Sequence, residues 1–150
     1  MKRYALIAIA SLAMLATVAP AAAHCQIPCG IFHDELRVQL IEEHITTIEK
    51  SMKMIDEISA SETPDYNQLV RWVMNKEDHA QQIQDIVSAY FLAQRIKPPK
   101  DHDNEAETKE YLHQLALLHH IQIHAMKAKQ STDLGQIESL RKMTSKFRKA

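Results

Sequence analysis

The sequence feature that most constrains this chain is a repeated apolar spacing typical of amphipathic helices. After Asp34, apolar residues alternate between four and three positions apart, at Ile41, Ile45, Ile48, Met52 and Ile55. Because about 3.6 residues make one helical turn, this spacing puts a single apolar stripe along a helix. The 150 residues include only 2 Gly and 5 Pro, and aromatic residues make up 5%. Few residues are therefore left for β-turns and strands, and an all-β architecture is excluded.

Three further apolar stripes follow along the chain. The second consists of Leu69, Val73, Ala80, Ile83, Val87 and Tyr90. The third consists of Leu112, Leu115, Leu118 and Ile121. The fourth consists of Leu134, Ile137, Leu140, Thr144 and Phe147. We interpret these side chains as the core of a helical bundle and not as a cofactor-binding box.

The connections between the stripes are polar and short. Asp34 is a candidate N-cap of the first helix, a polar run at 61–65 separates the first helix from the second, and Pro98 and Pro99 end the second. A polar connection leads to a third helix from about Glu105, and Thr132–Asp133 caps the fourth. Short connections make neighbouring helices antiparallel. The predicted fold is therefore all-α, an up-down-up-down four-helix bundle.

The first 23 residues have the organisation of a secretory signal peptide. Lys2 and Arg3 precede an almost wholly apolar run at 4–19, which Pro20 and three alanines follow. A membrane-spanning helix needs about 20 apolar residues, whereas this run stops at a helix breaker beside an A-x-A cleavage site. We therefore expect signal peptidase to cleave after Ala23. The mature chain, 24–150, would be exported, periplasmic or extracellular, and not attached to a membrane.

The charge balance excludes some classes of partner. Lys and Arg number 18 against 19 Asp and Glu, for a formal net charge of -1. No broad basic face is therefore expected to recruit nucleic acid or an acidic membrane. Because cleavage removes two cations, the mature chain is modestly acidic, and any anionic substrate has to be attracted by a local positive field.

The most informative residues follow the cleavage site. Residues 24–32 read His-Cys-Gln-Ile-Pro-Cys-Gly-Ile-Phe and contain both cysteines of the chain. Cys25 and Cys29 are four residues apart, with Pro28 before the second and Gly30 after it, which suits a tight hook. A disulfide is one interpretation, because exported proteins meet an oxidising compartment. A metal-binding hook fits better, since a bridge closing so short a loop at a chain end would stabilise little.

Cleavage would also create a set of converging metal donors. It leaves a free α-amine and an imidazole on His24, next to the backbone nitrogen of Cys25 and the thiolates of Cys25 and Cys29. Two nitrogens and two sulfurs in a tetragonal arrangement suit Ni(II) or Cu(II), whereas zinc prefers a tetrahedral set. The imidazole is left as an axial ligand for the oxidised metal. Anionic sulfur and amide donors stabilise the higher oxidation state, so the pattern predicts a one-electron redox site.

This hook resembles the start of the nickel-containing superoxide dismutases, whose mature chains begin His-Cys-x-x-Pro-Cys-Gly and continue as a four-helix bundle. Weaker likeness runs through most of 24–150, at Lys76–Ala80, Tyr90–Phe91, Lys97–Pro99 and Leu112–Leu115. The resemblance implies that His24, Cys25 and Cys29 bind nickel and are the catalytic site. It also implies that superoxide is disproportionated to oxygen and hydrogen peroxide by Ni(III)/Ni(II) cycling. A homohexamer, with each hook pressed against neighbouring subunits, is implied as well.

The chain departs from this family at two positions near the hook. The family usually has a Tyr where this chain has Phe32, and that hydroxyl is associated with holding small anions near the metal. Tyr90 matches a second family Tyr near the site and is expected to carry the remaining role. His79 aligns with a position where some members have an Arg that touches the N-terminal imidazole across the subunit interface. We expect His79 to hold His24 in its tautomer, with a solvent-facing helix histidine as the alternative.

Other histidines and other functions compete with this interpretation. His113, His120 and His124 share one face of the third predicted helix, where a second metal site is conceivable. Glu110 and His113 form only half of a di-iron carboxylate signature, so a polar or intersubunit face is favoured. The alternative function is an exported nickel or copper carrier that uses the same hook. A structural bundle with a terminal disulfide is a further alternative, and it predicts that blocking the hook changes nothing.

Overall fold

The computed structural model describes residues 28–101 and 103–150, and the regular structure within these ranges is entirely helical. Helix α1 spans Asp34–Ser59, α2 spans Tyr66–Asp85 and continues as a π-helical segment at Ile86–Arg95, α3 spans Glu105–Gln130, and α4 spans Leu134–Phe147. The predicted all-α class is confirmed. The predicted signal peptide and the hook residues 24–27 lie outside the described residues. In the described part of the chain, none of these helices is both long enough and apolar enough to span a membrane.

Polar contacts between neighbouring helices show that they run antiparallel. Between α1 and α4, Glu42 pairs with Arg148 at 2.8 Å and Glu49 pairs with Arg141 at 2.7 Å. Residue numbers therefore rise along one helix as they fall along the other. The other helix pairs show the same antiparallel order. Contacts join α1 to α2 at His44–His79 and Ser51–Asn75, α2 to α3 at Lys76–Ala128 and Gln84–Gln122, and α3 to the C-terminal α4 segment at Gln114–Ala150 and His124–Gln136. The four helices form a closed antiparallel bundle.

The bundle core is built largely from the predicted stripes. Fully buried side chains from all four helices include Ile41, Ile45, Ile48, Met52, Ile83, Leu118, Ile121 and Leu140. Each such burial stabilises the fold by about 1.5–3 kcal/mol. Val73, Leu112 and Leu134 were expected in the core but are exposed. Leu112 lies six residues before Leu118, which puts it about a third of a turn away from the buried face of α3.

A buried lysine ties α2 to the end of α3. Lys76 is 4% exposed, and its ammonium donates to the carbonyl oxygen of Ala128 at 2.9 Å and to that of Lys129. It also contacts the carbonyl oxygen of Ser131 at 3.5 Å and a Glu77 carboxylate oxygen at 3.2 Å. The last carbonyls of a helix lack intrahelical partners and carry partial negative charge. Lys76 therefore caps the C-terminus of α3 from the neighbouring helix.

Before the two prolines, α2 widens into the π-helical segment. The Ile96 N–H donates to the Phe91 carbonyl oxygen, five residues back, at 2.8 Å. A π-helix has more residues per turn than an α-helix, so residues five apart come closer to one face. Tyr90 and Arg95 are related in this way, and both contact Asp34 at the start of α1. The apolar periodicity gave no indication of this segment.

Candidate metal centre

The described end of the predicted hook, residues 28–32, contains a tight turn. The Ile31 N–H donates to the Pro28 carbonyl oxygen at 3.1 Å. The two central residues, Cys29 and Gly30, have φ values of +49° and +90°, as in a type I′ turn. Positive φ is uncommon outside glycine, so this turn holds the Cys29 backbone in an unusual conformation. Its side chain is exposed at the surface of the bundle.

A buried tyrosine anchors the chain that leaves this turn. Tyr90 is 4% exposed, and its hydroxyl accepts a hydrogen bond from the His33 N–H at 2.8 Å. The same hydroxyl donates to Asp34 Oδ1 at 2.6 Å. Burial, and then the hydrogen bond to Asp34, raise the pKa of Tyr90 above its usual value. The hydroxyl therefore keeps its proton and directs it to Asp34, so that proton is not available to hold a small anion.

Asp34 is held by a planar fork from Arg95. Arg95 Nε donates to Asp34 Oδ1 at 2.8 Å, and Arg95 Nη2 donates to Oδ2 at 2.7 Å. The hydrogen bond from Arg95, together with that from Tyr90, lowers the pKa of Asp34. Asp34 was expected to be the N-cap of α1, and this expectation is wrong by one residue. His33 is the cap, because its Nδ1 accepts from the Leu36 N–H at 3.1 Å, while Asp34 opens the helix.

Phe32 completes a compact group that we call the hook-base cluster, consisting of Phe32, His33, Asp34, Tyr90 and Arg95. The Phe32 ring meets Tyr90 edge to face, with ring centroids 5.8 Å apart. The Arg95 guanidinium carbon lies 4.6 Å from the Phe32 centroid, within cation–π range. These contacts fix the segment that directly follows the turn against the end of the bundle where α1 begins and the π-helical segment ends.

His79 lies in another part of the bundle. Its Nδ1 is 2.8 Å from Nδ1 of His44 on α1, and the ring centroids are 5.0 Å apart. At this distance one ring donates and the other accepts, so the two nitrogens share one proton. Burial, and then the neighbouring His79, lower the pKa of His44. His79 precedes Tyr90 by eleven residues, roughly 15 Å along a helix. Within one chain it is therefore separate from the hook-base cluster, and its contact with His24 stays a prediction.

The histidine face of α3 does not form a metal cluster. Within 28–101 and 103–150, no group of three or more His, Cys, Asp or Glu side chains could hold a metal ion. His120 and His124 stack with centroids 6.3 Å apart, and His124 Nδ1 lies 2.9 Å from Gln136 Oε1. This face therefore makes intrachain polar contacts.

Of the three expected metal ligands, the structure describes only Cys29. His24 and Cys25 lie outside the described residues, and their placement stays a prediction. Cys29 is exposed on a turn at the start of the bundle. A thiolate is a suitable ligand for a soft transition metal. The described part of the hook therefore contains one sulfur donor of a type that nickel accepts.

Sequence reasoning did not assign Asp34, Arg95, His33 or His44 to these contacts. For His33 a local signal existed, because a polar side chain three residues before a helical N–H is typical of an N-cap. Asp34 and Arg95 are separated by 61 positions, and no local pattern relates them.

Comparison with known proteins identifies the family. A family model described as nickel-containing superoxide dismutase matches residues 19–150, which include the turn, the hook-base cluster and all four helices. No curated protein and no solved structure gives a significant match. The chain therefore belongs to the nickel-containing superoxide dismutases, oxidoreductases that act on superoxide with nickel as cofactor.

Proposed function

We propose that the catalytic nickel is held by the hook, residues 24–32, after cleavage behind Ala23. The ligands are the α-amine and imidazole of His24, the backbone nitrogen and thiolate of Cys25, and the thiolate of Cys29. When bound there, nickel supplies the one-electron Ni(III)/Ni(II) couple by which superoxide is disproportionated to oxygen and hydrogen peroxide. The observation that carries this proposal is the Pro28–Ile31 turn, which presents Cys29 at the surface within the region matched by the family.

The hook-base cluster positions the hook for binding. Tyr90 fixes the His33 backbone four residues after Cys29, while Arg95 and Tyr90 together fix Asp34. Residues that are already ordered lose less conformational entropy when a ligand binds. The cluster therefore lowers the free-energy cost of closing the hook around a metal, and it keeps Phe32, the last residue of the hook, against the Tyr90 ring.

The mature enzyme is a homohexamer in which each hook lies against neighbouring subunits. Two exposed apolar side chains support this assembly, because Ile31 is 83% exposed and Leu36 is 44% exposed, both close to the turn. Exposed apolar surface beside a functional segment is typical of a face that another protein covers. In such an assembly, His79 of one subunit contacts the His24 imidazole of another.

Maturation and location follow from the ligand set. The α-amine of His24 exists only after signal peptidase has cleaved the precursor, so cleavage activates the enzyme. The uncleaved chain is inactive, and the active enzyme is periplasmic or extracellular.

The test is to measure nickel content and superoxide consumption on protein shown by mass to begin at His24. Cys29→Ser should lose both nickel and turnover, because one of the sulfur ligands is gone. A matched control is His113→Gln on the exposed face of α3, which should keep both. A Cys29→Ser protein that retains full nickel content and turnover would overturn the proposal.

A further inference from the structure

Met74 on α2 is the most exposed methionine in the described part of the chain, with an exposed fraction of 59%. We propose that hydrogen peroxide, the product of superoxide dismutation, oxidises Met74 to its sulfoxide before the other methionines of the mature chain, and that the enzyme keeps its fold and turnover when this happens. The proposal rests on the peroxide that dismutation releases, and it does not depend on which residues hold the nickel.

Sulfoxide formation is a two-electron reaction that needs only the thioether and the peroxide. The sulfur attacks one oxygen atom of hydrogen peroxide, the O–O bond breaks, and an S–O bond forms while water leaves as the second product. The sulfur loses two electrons and the peroxide gains them. The reaction turns a flexible apolar side chain into a polar one. Because hydrogen peroxide is small and uncharged, it reaches exposed sulfur anywhere on the protein surface.

The register of α2 explains why Met74 lies outside the core. Met74 is two residues before Lys76, whose ammonium is buried against the end of α3 at Ala128. Two residues turn an α-helix by about 200°, so the Met74 side chain leaves the helix on the side away from that contact. Val70 and Val73 on the same helix are also exposed, by 56% and 37%. This part of the α2 surface is therefore open to solvent.

The other methionines of the predicted mature chain are covered to different degrees. Met52 is fully buried, Met143 packs against the core, Met54 is half-buried, and Met126 is 38% exposed. A buried thioether reacts with peroxide only when the structure opens, and openings of the core are rare. A sulfoxide at Met52 would also place a polar group in the apolar core, whereas water can solvate one at Met74. The fold therefore directs oxidation to Met74 first and to Met52 last.

A sulfoxide at Met74 is expected to leave turnover unchanged, because Met74 is remote from the hook-base cluster. It precedes Tyr90 by 16 residues, roughly 20 Å along the helix. It also lies five residues before His79, and five residues turn an α-helix by about 140°. Since His79 faces His44 on α1, the Met74 side chain points away from that pair. Oxidation of Met74 therefore changes the polarity of the outer surface of α2 and breaks no contact of the hook-base cluster.

The test treats the nickel-loaded mature protein with hydrogen peroxide at one fixed concentration and follows each methionine by mass spectrometry. Trypsin places the five methionines beyond the predicted signal peptide on five different peptides, 51–53, 54–71, 72–76, 110–127 and 143–146. Met74 should gain one oxygen atom about tenfold faster than Met52, because Met52 reacts only in rare open states. Fragmentation of peptide 72–76 assigns the oxygen atom to Met74 and not to Trp72. In urea, where the bundle is unfolded, the five rates should become similar.

Met74→Leu keeps an apolar side chain of similar volume and removes the sulfur. The variant should have the turnover of the wild type, and the fastest methionine oxidation of the wild type should be absent. Met52→Leu is the matched control, because it removes a buried sulfur and should leave that fastest oxidation unchanged. Under peroxide, Met74→Leu and the wild type should lose turnover at the same rate, since a sulfoxide at Met74 does no harm.

Two results would overturn the proposal. One is a Met74 sulfoxide that forms in the folded protein no faster than the sulfoxide of Met52 or of another methionine. The other is slower inactivation of Met74→Leu than of the wild type, because oxidation of Met74 would then be harmful. Cys29→Ser should show the same order of methionine oxidation when peroxide is added, so a failure of the hook and a failure of this proposal are distinguishable.

Discussion

Lys76 gives the sharpest test of how the bundle is held together. Lys76→Met keeps a long side chain of similar volume but removes the ammonium that caps α3. The Ala128 carbonyl contact is buried, and water does not replace its lost donor, which costs about 1–3 kcal/mol. Loss of a cation near a helix C-terminus costs about 0.3–1 kcal/mol more. The contacts to Lys129 and Ser131 are partly buried and add less, because water can reach those carbonyls.

We therefore expect Lys76→Met to lower the free energy of unfolding by roughly 2–4 kcal/mol, or about 10 °C in Tm for a domain of this size. Thermal and urea unfolding, followed by circular dichroism at one fixed protein concentration, measure this change. Lys53→Met is the control, because Lys53 makes an exposed ion pair with Glu49 and should cost less than about 0.5 kcal/mol. A Lys76→Met protein as stable as the Lys53→Met control would refute this account of the α2–α3 junction.

Three further predictions concern the hook base and the histidine pair. Tyr90→Phe keeps the ring packing but loses the hydrogen bonds to His33 and Asp34. It should lower the free energy of unfolding in urea by about 1–2 kcal/mol and speed the loss of nickel to a chelator. Unchanged nickel retention would contradict this positioning role. In Gly30→Ala, the added Cβ meets no atom within 4 Å, but the residue must adopt a φ of +90°. The resulting backbone strain of about 1–3 kcal/mol should weaken nickel binding. Wild-type nickel affinity would show that the turn is not needed for binding. Because the pKa of His44 is lowered in the folded state, its contribution to stability is present above its unfolded pKa and declines as pH falls below about 6.5. His44→Gln should flatten the dependence of unfolding free energy on pH between about 5 and 7, and an unchanged slope would show that His44 does not contribute in this way.

Helix positions were largely predictable because they depend on local chemistry. The 4,3 spacing identified α1, because four of its six buried residues, Ile41, Ile45, Ile48 and Met52, belong to the stripe. Asp133 caps α4 as expected, since its side chain accepts from the Gly135 N–H. The π-helical segment was not predictable, because nothing in the apolar spacing distinguishes it from an α-helix. Its geometry is tied to the contacts that Tyr90 and Arg95 make with Asp34, far away in sequence.

Of the candidate site, only the tight turn was predictable from local residues, and the ligand set stays a prediction. Proline before Cys29 and glycine after it indicated a tight turn, and the described turn at Pro28–Ile31 has that form. The roles of Asp34 and Arg95 depend on tertiary contacts between residues 61 positions apart. Tyr90 was expected near the site from family resemblance, but its hydroxyl proton is directed to Asp34 and does not face an open anion site. Pattern and resemblance identified the residue types, and the fold determined their partners.

The most direct test of the central claim is to locate nickel in the mature protein by anomalous diffraction at the nickel absorption edge. The account predicts one site per chain, within bonding distance of Cys29 Sγ and of the His24 α-amine nitrogen. A nickel peak on the His120–His124 face of α3 or at the His44–His79 pair, with none at Cys29, would contradict it.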